Sequence, residues 1–304
     1  MNWKKVLKTN INVDIFNKVN VLFAIIFILL LSFTFYSNEK KKEDRICYEQ
    51  DEITIVSTYY KIKSKHKPRD YFDWISNFFR INRSIIFFAS KKFIHRLKSL
   101  RPKEFSNKTV FIPFEIEEFY SYKNFYNEFK KSFSIDFEKI HHSIALYLVW
   151  AEKCNFLKKA IAKNYFNSKC FYWVDAGYFR EKEIIKRFSN NWPSNKKCLE
   201  DQRILMGQVK NFSNSEKEKI LSFDEKTHIK LRKNINVIGG IFGGQSKNIL
   251  KFIYLYYDTI KLYIKNGIFI GKDQNIFTYI AFSHPEIIKL IFCKNFTEYR
   301  EHIS

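Results

Sequence analysis

The sequence predicts a single α/β domain, with a mostly parallel sheet flanked by helices, preceded by one N-terminal transmembrane helix. Three observations carry this expectation. From Ile53 to Phe114, β-branched and aromatic runs alternate with segments of helical period, the pattern of strands laid side by side through helical crossovers. The run Val21 to Tyr36 holds no charged residue. No internal repeat or Gly/Ser linker interrupts the chain after residue 52. Hydrophobic residues make up 46% and aromatics 18% of the 304 residues, enough for a packed core and against a disordered chain.

Residues 1–20 are polar, with Lys4, Lys5, Lys8 and Lys18, and read as a cytosolic tail. Residues 21–37 approach the ~20 residues that a spanning helix needs. The long basic segment before them, with no small-residue cleavage site after them, favours a signal anchor over a cleaved signal peptide. Lysines on both flanks leave the positive-inside rule without a vote on orientation. Sequons at Asn82, Asn107, Asn211 and Asn295 are consistent with a luminal domain. The expected protein is thus single-pass, with its domain in the lumen of the secretory pathway. Residues 38–52 are charged and aperiodic, a short stem, and residues 53–304 form the domain.

Within that domain, Ile53 to Tyr60 reads as the first strand, Ser84 to Ser90 as the second and Thr109 to Phe114 as the third. Between them, Tyr71, Trp74, Ile75, Phe78 and Phe79 fall at helical spacing, and KKFIHRLKS forms a second short helix. Glu115 to Phe133 reads as helix. So does Phe137 to Ala151, whose Phe137, Ile140, Ile144, Tyr147 and Leu148 make one stripe, and the helix continues to a turn near Ser168. His141 and His142 beside that stripe are read as surface histidines. A further helix runs from Glu181 to Phe188. Asn234 to Phe242 reads as a strand ending in a glycine cluster, and Gln245 to Lys265 as a long amphipathic helix.

The chain is best organised around FYWVDAGYFR, Phe171 to Arg180. Four bulky apolar residues run into Asp175, then Ala176 and Gly177. That is a buried strand delivering a carboxylate to the rim of a sheet, where open α/β folds bind ligands. The competing reading is a turn or helix cap, which Asp-x-Gly also serves. Gly239, Gly240, Gly243 and Gly244 let backbone approach a ligand, or pack tightly. Asp201-Gln202 and Asp273-Gln274 each precede an apolar run, so each could open a helix at a pocket rim and grip sugar hydroxyls, or serve as an ordinary N-cap. GIFIGKD is one residue short of a P-loop and lacks its Ser or Thr, which argues against an ATPase.

The formal charge is +22, a value that normally points to nucleic acid or an anionic surface. Here Lys, Asn, Ile, Phe and Tyr are abundant throughout while Gly and Pro are scarce. The charge is therefore spread over the surface, with no nucleic-acid motif beside it. Of five cysteines, none forms a CxxC pair, so zinc is disfavoured. Cys154, Cys170, Cys198 and Cys293 could form disulfides, leaving Cys47 odd.

The block Tyr147 to Arg180, together with VIGGIFGG and GIFIGKDQNIFTYIAFSHPEI, resembles the HtrL/YibB-like family. The resemblance spans Ile53 to Ile291. It implies a glycosyltransferase-like domain of GT-A type. On that resemblance the chain transfers a sugar from a nucleotide sugar to a glycan or glycoprotein acceptor. Asp175 stands on the metal–diphosphate side with Arg180, and Asp273 is the candidate base beside Gln274. Gly239, Gly240, Gly243 and Gly244 form the floor against the sugar; Asp201 and Gln202 are substrate-binding candidates on the Asp-Gln pattern, not on the resemblance. The resemblance also implies a divalent cofactor, manganese or magnesium, whereas Gly177 replaces the second acid of the Asp-x-Asp motif. The alternative is a non-catalytic glycan-binding or assembly protein on the same fold.

Overall fold

In the computed structural model the described residues are 48–304, without 182, 184–191 and 235. They form a mixed α/β domain around one seven-stranded sheet, ordered β3-β2-β1-β4-β6-β5-β7. The strands are β1 (Ile53–Tyr59), β2 (Ser84–Ala89), β3 (Thr109–Pro113), β4 (Cys170–Val174), β5 (Ile204–Gln208), β6 (Val237–Gln245) and β7 (Ile288–Phe292). All neighbours run parallel except β6, which is antiparallel to both β4 and β5.

The expected membrane anchor is corrected. Among the described residues no helix is long and apolar enough to cross a membrane, and residues 21–37 lie outside the described part of the chain. The architecture supported is therefore the mixed α/β domain with its mostly parallel sheet, and a single-pass membrane protein is not.

Strand side chains alternate across the sheet. Phe171 and Trp173 of β4 enter one core with Val56, Phe88 and Phe242, while Tyr172 and Val174 enter the other with Ile55, Phe87 and Ile241. The first core is covered by α3 (Tyr120–Ser134), α4 (Ile144–Lys163), α8 (Ser246–Lys265) and α9 (Asp273–Ser283). The second receives α1 (Pro68–Phe78), α2 (Lys91–Leu100), α5 (Asn195–Glu200) and α10 (Phe296–His302). The remaining α-helices among the described residues are α6 (Asn214–Leu221) and α7 (Glu225–Lys233), beside two short 3-10 turns at Lys103–Lys108 and Ile116–Glu118.

Two features of the sheet position the site. First, β1 pairs with β2 on one side and with β4 on the other. The strand order reverses there, and a crevice opens beyond the carboxyl ends at such a point. Second, β6 slips register against β5: Met206 opposes Phe242, whereas Gln208 opposes Val237. The extra residues of β6 fall around Gly239 and Gly240, a bulge next to the end of β4.

Several sequence expectations are corrected. Residues 137–143 are turn, not helix, because Ser143 caps α4 by accepting from the Leu146 N–H. Phe137 and Ile140 are consequently exposed. His142 is buried, with Nδ1 2.7 Å from Asp136 Oδ2. Asp201-Gln202 precedes strand β5 rather than a helix. The glycine cluster sits inside β6 rather than at its end. The helix expected from Glu181 to Phe188 falls mostly on residues outside the described part. Cys170 and Cys198 form a disulfide, while Cys154 and Cys293 are free and buried.

Candidate functional site

Asp175 follows the last residue of β4, at the carboxyl end of the strand. Its backbone N–H donates to Gly240 O (2.8 Å), and its own carbonyl accepts from Tyr178 N–H (2.9 Å), closing a turn over Ala176 and Gly177. The side chain is held from two directions. The Trp173 indole N–H donates to Oδ1 at 2.7 Å, and Lys153 Nζ lies 3.2 Å from the same oxygen. The side chain keeps 39% of its surface exposed.

Lys153 comes from the middle of α4 and its side chain is only 2% exposed. A buried ammonium is costly unless all three of its N–H bonds find acceptors. Here three oxygens surround it: Gly239 O accepts a hydrogen bond at 2.9 Å, and Asp175 Oδ1 and Asp273 Oδ2 pair with its charge at 3.2 and 2.8 Å. Burial alone would lower the Lys153 pKa, but the two carboxylates outweigh it, so Lys153 is held above its ordinary value and charged. Asp273 is the first residue of α9 and is 5% exposed. Burial raises its pKa, and Asp175 adds to the rise, against the opposing pull of Lys153. Its Oδ1 accepts from Gln274 N–H at 2.8 Å. Two carboxyl groups thus share one ammonium, and the cluster reaches solvent at Asp175.

Gly239 and Gly240 leave room for the groups of the site. A Cβ on Gly239 would stand 3.1 Å from both Asp273 oxygens, and one on Gly240 would stand 3.2 Å from the Tyr178 ring and 3.3 Å from Asp175 Oδ2. Gly243 and Gly244 do not reach the site. They pair with Tyr172 and Phe171, further back along β4, and the space beside Gly243 is filled by the Tyr172 ring.

Asp175 opens into a cleft of about 740 Å³. Thr58 to Ile62 at the end of β1 form one wall, and Tyr71, Trp74, Trp150 and Trp173 supply broad ring faces. Arg180, Arg300 and Lys61 bring cationic groups, and Glu181 and Glu183 acidic ones. The Arg180 guanidinium lies 4.6 Å from the centre of the Trp74 ring, a cation–π contact.

Residues 51–304 match the family described as bacterial protein of unknown function (HtrL_YibB). The chain belongs to the HtrL_YibB family. No curated protein matches it. Among solved structures, a match is the 4-diphosphocytidyl-2C-methyl-D-erythritol synthase of Anaerococcus prevotii, at 11% identity and a TM-score of 0.32, over 83% of this chain and 92% of that one.

In this HtrL_YibB protein the residues expected at the site divide into two groups. Asp175, Gly239 and Asp273 converge on Lys153, and Gly240, Arg180 and Gln274 line the same cleft. Asp201 and Gln202 do not join them. They precede β5, which runs parallel to β4 through the shared antiparallel neighbour β6, and so stand at the opposite edge of the sheet. Asp201 is committed to ion pairs with Arg203 (3.1 Å) and Lys289 (2.8 Å). Burial opposes its ionisation, but the hydrogen bonds from these two cations prevail and hold its pKa well below the usual range.

The donor set does not fit a divalent metal in the HtrL_YibB site. A Cβ at Gly177 would stand 3.1 Å from the Trp74 ring, so an indole occupies the place where a second acid would project. Asp175 Oδ1 is already engaged by Trp173 and Lys153, and Asp273 is buried against Lys153. Among the described residues no three His, Cys, Asp or Glu side chains group as ligands. Lys153 itself was not singled out by sequence reasoning. Its signal is a Glu152-Lys153 pair placed between LYLVWA and CNFL, where neither helix face on offer is a solvent face.

Proposed function

We propose that this protein binds a nucleotide sugar in the cleft beyond β1 and β4 and transfers the sugar to a hydroxyl of a glycan or glycoprotein. The observation that carries the reading is the exposed Asp175 carboxylate, fixed by Trp173 and Lys153 at the point where the strand order reverses. Ligands of open α/β sheets sit at that crevice. The surrounding walls have the chemistry that such a ligand needs. Aromatic faces suit a base or a sugar ring, and Arg180, Arg300 and Lys61 suit phosphate.

In this reading Asp175, not Asp273, faces the reacting sugar. Asp273 is enclosed, with its oxygens turned to Lys153 and the Gln274 N–H, so it acts through Lys153. A positioned carboxylate in a cleft can accept the proton of an attacking hydroxyl or stabilise positive charge developing on the sugar ring. Gln274 borders the same space and offers an amide to a hydroxyl.

The test is thermal denaturation of the full chain with a panel of nucleotide sugars, followed by incubation of any stabilising donor with glycan acceptors. One donor that raises the melting temperature and is consumed supports transfer. Stabilisation by glycans alone, with no nucleotide effect, would favour the glycan-binding reading. The ring-lined wall around Trp74 is the feature on which that second reading rests.

A further inference from the structure

We infer that the cation of this site is built in: Lys153 holds the place between the carboxylates where a divalent ion would bind, and the ligand's diphosphate is met by Arg300 and Arg180, so binding needs no metal. This rests on the proposed nucleotide-sugar reading for the identity of the ligand, but its metal half stands on the geometry alone.

The argument begins with occupancy of space and charge. The side chains of Asp175 and Asp273 are brought to one point, as acids are around a metal, yet the point is filled by an ammonium with contacts of 3.2, 2.8 and 2.9 Å. Lys153 cannot swing away cheaply. It is enclosed beneath the Trp173 ring, 5.6 Å from its centre, and any departure would leave Gly239 O and a buried Asp273 without their partner. A divalent ion arriving at Asp175 would meet this fixed positive charge within hydrogen-bond range of its own ligand. Even so, the Asp175 carboxylate needs a neutralised neighbourhood if an anionic diphosphate is to approach. Lys153 supplies that from behind.

The phosphate side needs cations from elsewhere in the cleft. Arg300 of α10 is 4% exposed overall, yet it borders the cleft. One of its nitrogens donates to Thr297 Oγ1 at 2.8 Å. Its Nε is buried without a hydrogen-bond partner among the described residues. Burial of this guanidinium lowers its pKa, against the pull of Tyr178, Glu181 and Glu301, and the unpartnered Nε leaves a donor to offer an anion. Tyr178, whose ring lies 5.1 Å from the guanidinium, also donates its backbone N–H to Asp175 O at 2.9 Å. Arg180 enters from the Trp74 side.

The test uses the full chain in two arms. In the first, manganese alone is titrated by calorimetry and thermal shift, without nucleotide. The expected result for the unaltered protein is no saturable binding and no shift; saturable binding that Asp175→Asn abolishes would overturn the inference. In the second, uridine and guanosine diphosphates are titrated in EDTA and in manganese. Equal affinity in both buffers, with a loss of about tenfold or more in Arg300→Gln at unchanged melting temperature, is expected. Affinity that collapses in EDTA would overturn it. If neither nucleotide binds in any buffer, the proposed function fails while the manganese arm still decides the metal question.

Discussion

The carboxylates of Asp175 and Asp273, from distant parts of the chain, touch the same atom, Lys153 Nζ, at 3.2 and 2.8 Å. Their environments differ sharply: one side chain is 39% exposed and the other 5%. Substitution of the two should therefore separate function from stability.

Asp175→Asn retains an oxygen for the Trp173 indole and leaves Lys153 its buried partner Asp273. The expected outcome is a near-normal melting temperature with sugar transfer reduced by about 10²–10³-fold, the scale of one lost preorganised electrostatic contact. Asp273→Asn removes the partner of a buried ammonium and should destabilise by about 3–5 kcal/mol. Thermal and urea denaturation of the two variants, alongside a donor-consumption assay, checks the contrast. Equal stability loss in both would contradict it.

The glycines of β6 should divide in the same way. At Gly243 an added Cβ would lie 2.3 Å from the Tyr172 ring and 2.6 Å from Phe171 O, a backbone clash that cannot be relieved by a rotamer. Gly243→Ala is expected to lose at least the ~1–3 kcal/mol typical of overpacking. At Gly239 the obstacle is the Asp273 carboxylate at 3.1 Å, so Gly239→Ala should chiefly disturb Asp273 and Lys153 and weaken ligand binding. Paired melting curves and ligand titrations would show it, and a larger stability loss at Gly239 than at Gly243 would refute the assignment.

His228 of α7 gives the domain a dependence on acid. It is 4% exposed, stacked on Phe223 and edge-on to Tyr263. Burial lowers its pKa below 6.5, against the pull of its contact with Ile220 O. Below 6.5 the unfolded chain therefore binds a proton that the folded chain resists, so stability falls as pH drops through that value and is complete above it. His228→Gln should flatten this part of the stability profile. An unchanged slope between pH ~7 and ~5 in the variant would show that the loss has another source.

The Cys170–Cys198 bond ties the first residue of β4 to α5 across a separation of 28 residues. A bridge of this span typically contributes about 2–4 kcal/mol. Reduction, or Cys198→Ser, is expected to lower the urea midpoint by a corresponding amount. A midpoint insensitive to reductant would mean that the bridge is absent from the protein in solution.

Strands β1 to β4 were legible because each is a short apolar run with clear punctuation, whereas β5 and β7 were not read as strands. Asp175 was legible for the same reason: FYWV must be buried, and the next residue must emerge. Lys153 was not, since a Glu-Lys pair in a helix normally marks a solvated face. Here Glu152 is buried too, accepting from the Tyr120 and Ser121 N–H groups at the start of α3 (3.0 and 2.9 Å). Phe137 and Ile140 fit the apolar stripe of α4 by spacing alone, but Ser143 is the N-cap at which that helix begins. Asp201-Gln202 misled because the short run behind it fits a strand as well as a helix, and only the sheet edge on which it lands tells them apart.

Lys153 has one further consequence, which concerns the order in which the chain is made. A polypeptide leaves the ribosome amino end first, and Asp175 follows Lys153 within a short interval. Gly239 and Asp273 come from the last third. A nascent chain that ends before them holds an ammonium with only one of its three acceptors, and enclosing it would cost several kcal/mol. Packing the middle of the sheet under α4 is therefore favoured only once α9 has been synthesised, and a product lacking that helix is expected to keep Lys153 solvated and its apolar surroundings open.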